Sequence, residues 1–200
     1  MFRTLKPLVL ASTSPRRQAY FTDLGLDFTV CAADIDERAV AGEDPEAFVL
    51  RLAGEKAAAV RDLCPASWVV AADTVVAIDG RLLGKPGDSE EAVAMLLALA
   101  GREHQVLTGF CVTCARENAL VLRAVASTVR FAAFGPEVAR AYAGTGEPLD
   151  KAGAYGIQGK GAFLVERVSG SYSNIVGMPL HEVLAVLLAW GVVAPAGSGS

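Results

Sequence analysis

The chain has 200 residues, of which 52% are apolar and 20% charged, and its formal net charge is −4 at pH 7. This composition excludes an intrinsically disordered chain, and the length is sufficient to bury a sizeable core. No apolar run approaches the ~18 residues that span a bilayer, and the acidic balance argues against nonspecific nucleic-acid binding. Because residues 1–6 lack the apolar segment of a signal peptide, we expect a cytoplasmic protein without a membrane or nucleic-acid partner.

Strand and helix patterns alternate through the first hundred residues. Short apolar runs bounded by turn residues predict strands, and apolar residues at helical spacing predict the helices between them. Asp79-Gly80 predicts a hairpin turn, and Asp88 with Glu91 resembles a capping box. The predicted strands are Leu8–Ser12, Phe28–Ala32, Trp68–Ala72, Val75–Ile78 and Arg81–Leu83, and the predicted helices are Pro15–Leu24, one starting at Pro45, and Ser89–Ala100.

The second half has longer β-type runs and a glycine-rich segment. Gln105–Ala115 and Leu120–Phe134 predict two antiparallel strands that meet near Glu117-Asn118, and Gly144–Gly161 predicts a functional loop. Together the patterns predict an α/β fold with a mixed, twisted sheet, flanking helices and two lobes around a central cleft. We expect one domain over residues 1–193. The remaining predicted elements are a helix over Pro136–Ala143, a strand over Phe163–Val168, a helix over Leu180–Trp190 and a flexible tail over Ala194–Ser200.

The turn after the first apolar strand is suited to an anion. Pro15 is favoured in the first helical turn, and Ser14 can cap the helix with its hydroxyl. Arg16 and Arg17 add positive charge to a helix N-terminus that is already positive, at a cost of about 0.3–1 kcal/mol each. A bound polyphosphate would offset that cost with help from the hydroxyl of Ser12, although a pair of solvent-facing arginines is an equally good interpretation.

Carboxylates follow two of the predicted strands. Asp73 ends the run Val69–Asp73, and Glu37 closes the acidic segment Asp34-Ile-Asp-Glu37. Two carboxylates at strand ends are suitable ligands for Mg²⁺, which takes few protein oxygens and leaves positions for phosphate and water. From these residues alone, a solvated acidic loop is the favoured interpretation of residues 34–37. Lys56 and Lys85 could neutralise phosphate charge or be ordinary surface lysines.

The glycine-rich segment carries an amide that could recognise a base. Its glycines permit close approach of the backbone to a ligand. Gln158 offers both an acceptor and a donor, which complement the edge of uracil or thymine. Because an amide can flip and would then suit cytosine, the orientation of Gln158 must be held by another group.

The cysteines and histidines do not predict a metal or redox site. Cys111 and Cys114 have C-x-x-C spacing but fall in a predicted strand, where residues three apart point to opposite faces. His104 and His181 are far apart and have no obvious ligand partners, so we expect structural roles for both. The remaining cysteines are Cys31 and Cys64.

Seven short blocks, in order along the chain, resemble the Maf-type nucleotide pyrophosphatases, also called septum formation proteins. Each block is weak evidence alone, but together they extend over nearly the whole chain. The Gly-Ile-Gln-Gly block is similar to that of the branch acting on dTTP and UTP. The blocks are Ser12-Thr-Ser-Pro-Arg-Arg17, Ala72-Asp-Thr74, Gly84-Lys-Pro86, His104-Gln-Val-Leu-Thr108, Asp150-Lys-Ala-Gly153, Gly156-Ile-Gln-Gly159 and Val176-Gly-Met-Pro-Leu180.

The resemblance implies a hydrolase with an inosine-triphosphatase-like fold that cleaves nucleoside triphosphates between the α- and β-phosphates and so cleans the nucleotide pool. It implies a divalent cation, Mg²⁺ or Mn²⁺, and a homodimer. Asp73 matches the family's proposed proton acceptor, and Glu37 matches a metal-associated acidic position. The expected site therefore consists of Asp73, Lys56 and Lys85 for catalysis, Glu37 and Asp73 for metal, and Ser12, Ser14, Arg16, Arg17, Thr74 and Gln158 for substrate binding and specificity.

Two other functions stay open at this point. One is a pyrophosphatase of the sibling branch that acts on 7-methyl-GTP, whose sequence around Gln158 is more polar. The other is a noncatalytic nucleotide-binding regulator of cell division, which would need the phosphate-binding residues but not Asp73. A phosphotransferase is disfavoured because the chain has no GxxxxGK[ST] loop.

Overall fold

The computed structural model describes residues 1–32 and 34–197 of the chain. None of the helices in the described residues is long and apolar enough to cross a membrane. The strands are β1 Phe2–Thr4, β2 Leu8–Leu10, β3 Thr29–Val30, β4 Trp68–Ile78, β5 Arg81–Leu83, β6 Glu103–Cys114, β7 Ala119–Phe131, β8 Val165–Ser169 and β9 Val193–Pro195. The α-helices are α1 Pro15–Asp23, α2 Pro45–Leu63, α3 Ser89–Leu99, α4 Pro136–Ala143, α5 Tyr172–Val176 and α6 Leu180–Ala189, and three 3₁₀ helices cover Glu147–Asp150, Ala152–Ala154 and Gly159–Leu164.

The main sheet is mixed. Its strand order is β3-β2-β4-β6-β7-β8, with β5 paired to β4. β2 lies parallel to both β3 and β4, whereas β5 is antiparallel to β4 and β8 is antiparallel to β7. The turn between β6 and β7 is too short for a parallel crossover, so these neighbours form the predicted antiparallel pair. A separate two-stranded sheet joins β1 and β9.

The chain divides into two compact units. Unit 1 comprises residues 1–73, 109–124 and the described residues from 177 on, and unit 2 comprises residues 74–108 and 125–176. β4, β6 and β7 each contribute residues to both units. The prediction of one domain over residues 1–193 stays a prediction beside this division.

In unit 1, α2 packs directly on the sheet. Small residues of the helix, Ala53 and Ala57, are buried against Val9, Val69 and Cys111 of three strands. Gly109 permits this approach, because a Cβ there would lie 2.1 Å from the carbonyl oxygen of Val49 in α2. Burial raises the pKa of the Cys111 thiol to about 11, so this cysteine is a neutral core residue at physiological pH. The helix that carries Lys56 is therefore held against β6 by backbone contact.

In unit 2, the core is more aromatic. The His104 ring lies edge-on to Phe131 and Tyr155, with ring centroids 4.9 Å and 5.4 Å away. The His104 Nε2 is 2.8 Å from the Tyr155 hydroxyl. His104 therefore has the structural role that was expected of it. Burial lowers its pKa to about 4, so the ring is neutral in the folded protein.

The turn chemistry confirms several predicted boundaries. Asp79 and Gly80 both have positive φ, as the predicted hairpin requires. The Asp88 carboxylate caps α3 by accepting from the Glu91 N–H at 2.8 Å, and Glu91 accepts from the Gly87 N–H at 2.7 Å.

Other local predictions were wrong. Ser14 makes no side-chain capping bond to α1; its own N–H instead donates to the Ser12 hydroxyl at 3.2 Å. The predicted strand over Phe28–Ala32 is reduced to Thr29–Val30, and the glycine-rich segment contains 3₁₀ turns rather than plain loop. Ala194 and Pro195 of the predicted tail pair with β1, while residues 198–200 lie outside the described part of the chain.

Candidate functional site

The turn after β2 holds Arg17 in a defined position. The guanidinium donates from Nε to the Gly177 carbonyl at 2.7 Å and from Nη1 to the Ser12 hydroxyl at 3.3 Å. Burial lowers the pKa of Arg17, and the negative charge of Asp73 acts in the opposite direction. Arginine nevertheless stays charged in proteins. A partly dehydrated cation is thus fixed beside the turn, as an anion site requires.

Lys56 stands between two of the predicted carboxylates. Its Nζ lies 2.6 Å from Asp73 Oδ1 at the end of the apolar run of β4 and 2.6 Å from Glu37 Oε1. The side chains of Lys56 and Asp73 are each 11% exposed, whereas that of Glu37 is 51% exposed. The ammonium holds together two carboxylates that would otherwise repel each other.

The segment that carries Glu37 is tied to α2 through Arg51. The guanidinium donates to both oxygens of Glu43 at 2.7 Å and to the Arg38 carbonyl at 3.1 Å. These hydrogen bonds from Arg51 lower the pKa of Glu43 to about 2. The same helix therefore supplies Lys56 and anchors the segment on which Glu37 lies.

The donor set fits a cation whose coordination the substrate would complete. Within the described residues, no group of three or more His, Cys, Asp and Glu side chains is arranged to hold a metal ion. The pair Asp73 and Glu37 does face a positive group, the Lys56 ammonium. Mg²⁺ is commonly held by one or two carboxylates together with substrate phosphates. Two convergent carboxylates in a basic setting match that pattern.

Thr74 begins a hydroxyl chain in unit 2. Its Oγ1 lies 2.9 Å from the Thr108 hydroxyl, which donates to the Asn174 carbonyl at 3.0 Å. Because the Thr108 proton is used in the second bond, Thr74 must be the donor in the first. The Thr74 oxygen can therefore serve any further partner as an acceptor. This polarity could not be read from the sequence, where Thr108 carried no assigned role.

Lys85 and Gln158 are exposed residues of unit 2. Lys85 follows β5, and its neighbour Gly84 accepts from the Gly153 N–H at 3.0 Å. Gln158 immediately precedes the 3₁₀ helix Gly159–Leu164 and has an extended backbone. The loop after β5 is thus joined to the glycine-rich segment that carries Gln158.

The structure brings together part of the predicted site and adds groups that were missed. Ser12, Arg17, Glu37, Lys56 and Asp73 form one cluster in unit 1, with Arg16 in the first turn of α1 beside it. Thr74, Lys85 and Gln158 come from three segments of unit 2. The Gly177 carbonyl that orients Arg17 was missed, although the block Val176–Leu180 was noticed. Arg51 was also missed, because its spacing is that of any helix-surface arginine.

The sequence was compared with models of known protein families. The sequence model of the family described as Maf-like protein matches residues 7–190. This range contains all the blocks on which the resemblance was based, and every residue of the cluster around Lys56.

Bacterial relatives match over almost the full length. A protein from Desulfotalea psychrophila is 53% identical over 194 residues, covering 97% of this chain and 100% of that protein. One from Myxococcus xanthus is 54% identical over 188 residues, covering 94% of each. One from Geobacter sulfurreducens is 45% identical over 186 residues, covering 93% of this chain and 97% of that protein. All three carry the name dTTP/UTP pyrophosphatase.

A solved structure confirms the predicted fold class. The Staphylococcus aureus Ham1 protein superimposes with a TM-score of 0.51 over 93% of this chain and 100% of that one. The sequences are only 17% identical, so the likeness concerns the mixed α/β fold alone.

Proposed function

The chain belongs to the Maf-like protein family, and from that premise we propose that it is a dTTP/UTP pyrophosphatase working through the cluster around Lys56. The observation that carries the assignment of this site is the ammonium of Lys56 held 2.6 Å from both Asp73 and Glu37. Together with the fixed guanidinium of Arg17, it forms a site in which cations and carboxylates alternate. Such a site can bind a polyphosphate through its cations and place a carboxylate beside it as a proton acceptor.

The reaction splits a nucleoside triphosphate with water. A water oxygen attacks the α-phosphorus, the bond from that phosphorus to the bridging oxygen breaks, and pyrophosphate leaves with the bond electrons. Asp73 accepts the proton of the attacking water. Arg17, Lys56 and Lys85 neutralise the negative charge that develops on the phosphate oxygens. The products are the nucleoside monophosphate and pyrophosphate.

A divalent cation, Mg²⁺ or Mn²⁺, is the cofactor expected of this family. Asp73 and Glu37 would hold it, and when bound it would supply charge neutralisation and Lewis acidity at the phosphates. Lys56 contacts the same two carboxylates, so a cation held there would leave its ammonium available to the phosphates.

Substrate choice is assigned to a second group of residues. Ser12, Ser14 and Arg16 line the turn beside the phosphate-binding arginine, and we place the triphosphate there. Thr74 presents an acceptor oxygen because its proton is donated to Thr108. Gln158 pairs with the N–H and carbonyl edge of uracil or thymine.

The deciding experiment measures pyrophosphate release with Mg²⁺ from dTTP, UTP, CTP, dCTP, GTP and 7-methyl-GTP. Asp73→Asn and Lys56→Met are compared with the wild type. We expect each to lower kcat by at least about a hundredfold while the fold is retained. Asp62→Asn is the matched control, because Asp62 is an exposed carboxylate paired with Arg61 at 3.0 Å on the same helix as Lys56.

The substrate panel separates the alternatives. Release confined to dTTP and UTP supports the proposal. A preference for 7-methyl-GTP would keep the reaction and refute the assigned specificity, whereas binding without release would favour a noncatalytic regulator. Near-wild-type turnover of Asp73→Asn would remove Asp73 from the mechanism. The cytoplasmic location and the homodimer stay predictions that fractionation and light scattering can test.

A further inference from the structure

The loop that carries Gln158 is pinned to one carboxylate. Glu147 Oε2 accepts from the Lys160 N–H at 3.1 Å, and Oε1 accepts from the Gly161 N–H at 3.2 Å. These two amides lie just after Gln158 in the chain. A charged acceptor shared by two backbone donors restrains the rotation of the peptide units between them.

The other side of the loop is pinned by Tyr142 at the end of α4. Its hydroxyl donates to Glu147 Oε1 at 2.9 Å and accepts from the Gly156 N–H at 3.1 Å. Gln158 is therefore bracketed, with Gly156 held by the tyrosine before it and Lys160 held by the carboxylate after it. Because the Tyr142 hydroxyl bonds to both Glu147 and the loop, Tyr142 and Glu147 together anchor the loop.

The electrostatics keep Tyr142 and Glu147 in one protonation state. Burial alone would raise the pKa of Glu147, but hydrogen bonds from Lys160, Tyr142 and Gly161 outweigh it and hold the pKa below its usual value. Burial raises the pKa of the Tyr142 hydroxyl. The carboxylate is thus charged and the phenol protonated at neutral pH.

The glycines of the loop fit the same interpretation. A Cβ at Gly161 would lie 2.5 Å from the Tyr142 hydroxyl, and one at Gly159 would lie 3.1 Å from Glu147 Oε2. Gly159 also has a φ of +80°, which side chains rarely adopt. The backbone of the loop therefore approaches the anchor as closely as glycine allows.

We infer that Tyr142 and Glu147 are positioning residues that orient Gln158 and so set the preference for uracil and thymine over cytosine. This inference rests on the proposed function, in which Gln158 contacts the base. A glutamine amide presents opposite patterns of donor and acceptor in its two flipped states. A restrained backbone fixes the direction in which the Gln158 side chain leaves the loop, and so the place where its amide meets the edge of the base.

The test combines selectivity with backbone exchange. Tyr142→Phe keeps the ring packed against Phe163 but removes both hydroxyl bonds, and Glu147→Gln keeps only one acceptor oxygen. We expect each to lower the UTP-to-CTP ratio of kcat/KM about tenfold, mainly through a higher KM for UTP. Gln158→Ala should give a similar loss, and its combination with Tyr142→Phe should add little to it.

A matched control and a second readout make the result decisive. Tyr172→Phe removes a hydroxyl from a tyrosine that is 49% exposed in the same unit, and it should leave the selectivity ratio unchanged. Hydrogen exchange followed by mass spectrometry should show faster exchange over residues 156–161 in Tyr142→Phe but not in Tyr172→Phe. This readout does not depend on turnover.

The outcomes distinguish the two proposals. An unchanged ratio in Tyr142→Phe and Glu147→Gln, when Gln158→Ala lowers it, would overturn the inference and leave the proposed function standing. Unchanged exchange over residues 156–161 in Tyr142→Phe would refute the anchor itself. A wild-type enzyme that releases no pyrophosphate from any nucleotide would refute the proposed function, and with it the selectivity role.

Discussion

Acidification should destabilise the protein through His104. The ring is 2% exposed, and burial lowers its pKa from 6.5 to about 4, so the folded protein keeps it neutral. Below pH 6.5 the unfolded chain binds a proton that the folded chain does not. Stability from this residue is therefore complete above pH 6.5 and is lost as the pH falls toward 4.

The size of the effect follows from the two pKa values. Between pH 7.5 and pH 5.5, proton binding by the unfolded state alone lowers the free energy of unfolding by about 1 kcal/mol. The loss reaches about 3 kcal/mol at pH 4 and levels off below that pH, where the folded protein also binds the proton. At pH 5.5 the result depends little on the folded-state pKa, because that value lies well below the experimental pH.

Urea unfolding followed by far-ultraviolet circular dichroism at pH 7.5, 6.5 and 5.5 measures this slope. His104→Gln removes the titratable group but retains a hydrogen-bonding partner for Tyr155. The variant should be less stable at pH 7.5 yet show a flatter dependence on pH. If wild type and variant lost the same free energy on going to pH 5.5, His104 would not be the source and the reasoning would be wrong.

Three further substitutions test the construction of unit 1. Gly109→Ala should cost at least about 2 kcal/mol, because its Cβ would collide with the Val49 carbonyl; an unchanged Tm would show that α2 can move off the sheet. Arg17→Lys should lower kcat/KM for UTP about a hundredfold, since lysine cannot reproduce the two bonds to Gly177 and Ser12, and equal rates would reduce Arg17 to a simple charge. Arg51→Gln should raise the Mg²⁺ concentration for half-maximal rate about threefold to tenfold by loosening the segment that carries Glu37. An unchanged metal titration in Arg51→Gln would show that Arg51 does not position Glu37 for metal binding.

Local patterns were sufficient where the determining interactions are short-range. The turn at Asp79-Gly80 and the cap of α3 by Asp88 depend on residues a few positions apart, and both were predicted. The strand over Trp68–Ala72 was predicted too short, because the strand continues past the apolar run through Asp73 and Thr74 into the hairpin. A charged residue after an apolar run predicts the end of a strand. The sequence does not show that Asp73 has an ion-pair partner, Lys56, that lets the strand continue.

The glycine-rich segment could not be predicted from its composition. Many glycines indicate a loop, yet Glu147 organises the segment into 3₁₀ turns by accepting from amides more than ten residues away. Likewise, Ser14 looked like the cap of α1, yet its side chain makes no capping bond and its own N–H donates to the Ser12 hydroxyl. In both segments the observed contacts depend on side-chain positions that the local sequence pattern does not give.

The bond from Arg17 to the Gly177 carbonyl has a consequence for synthesis on the ribosome. β2 and α1 emerge early, but the acceptor that orients the guanidinium lies 160 positions later. A nascent chain that ends before this glycine can form the turn but cannot fix the arginine. The guanidinium should therefore reach its final position only after Gly177 has been synthesised, late in translation.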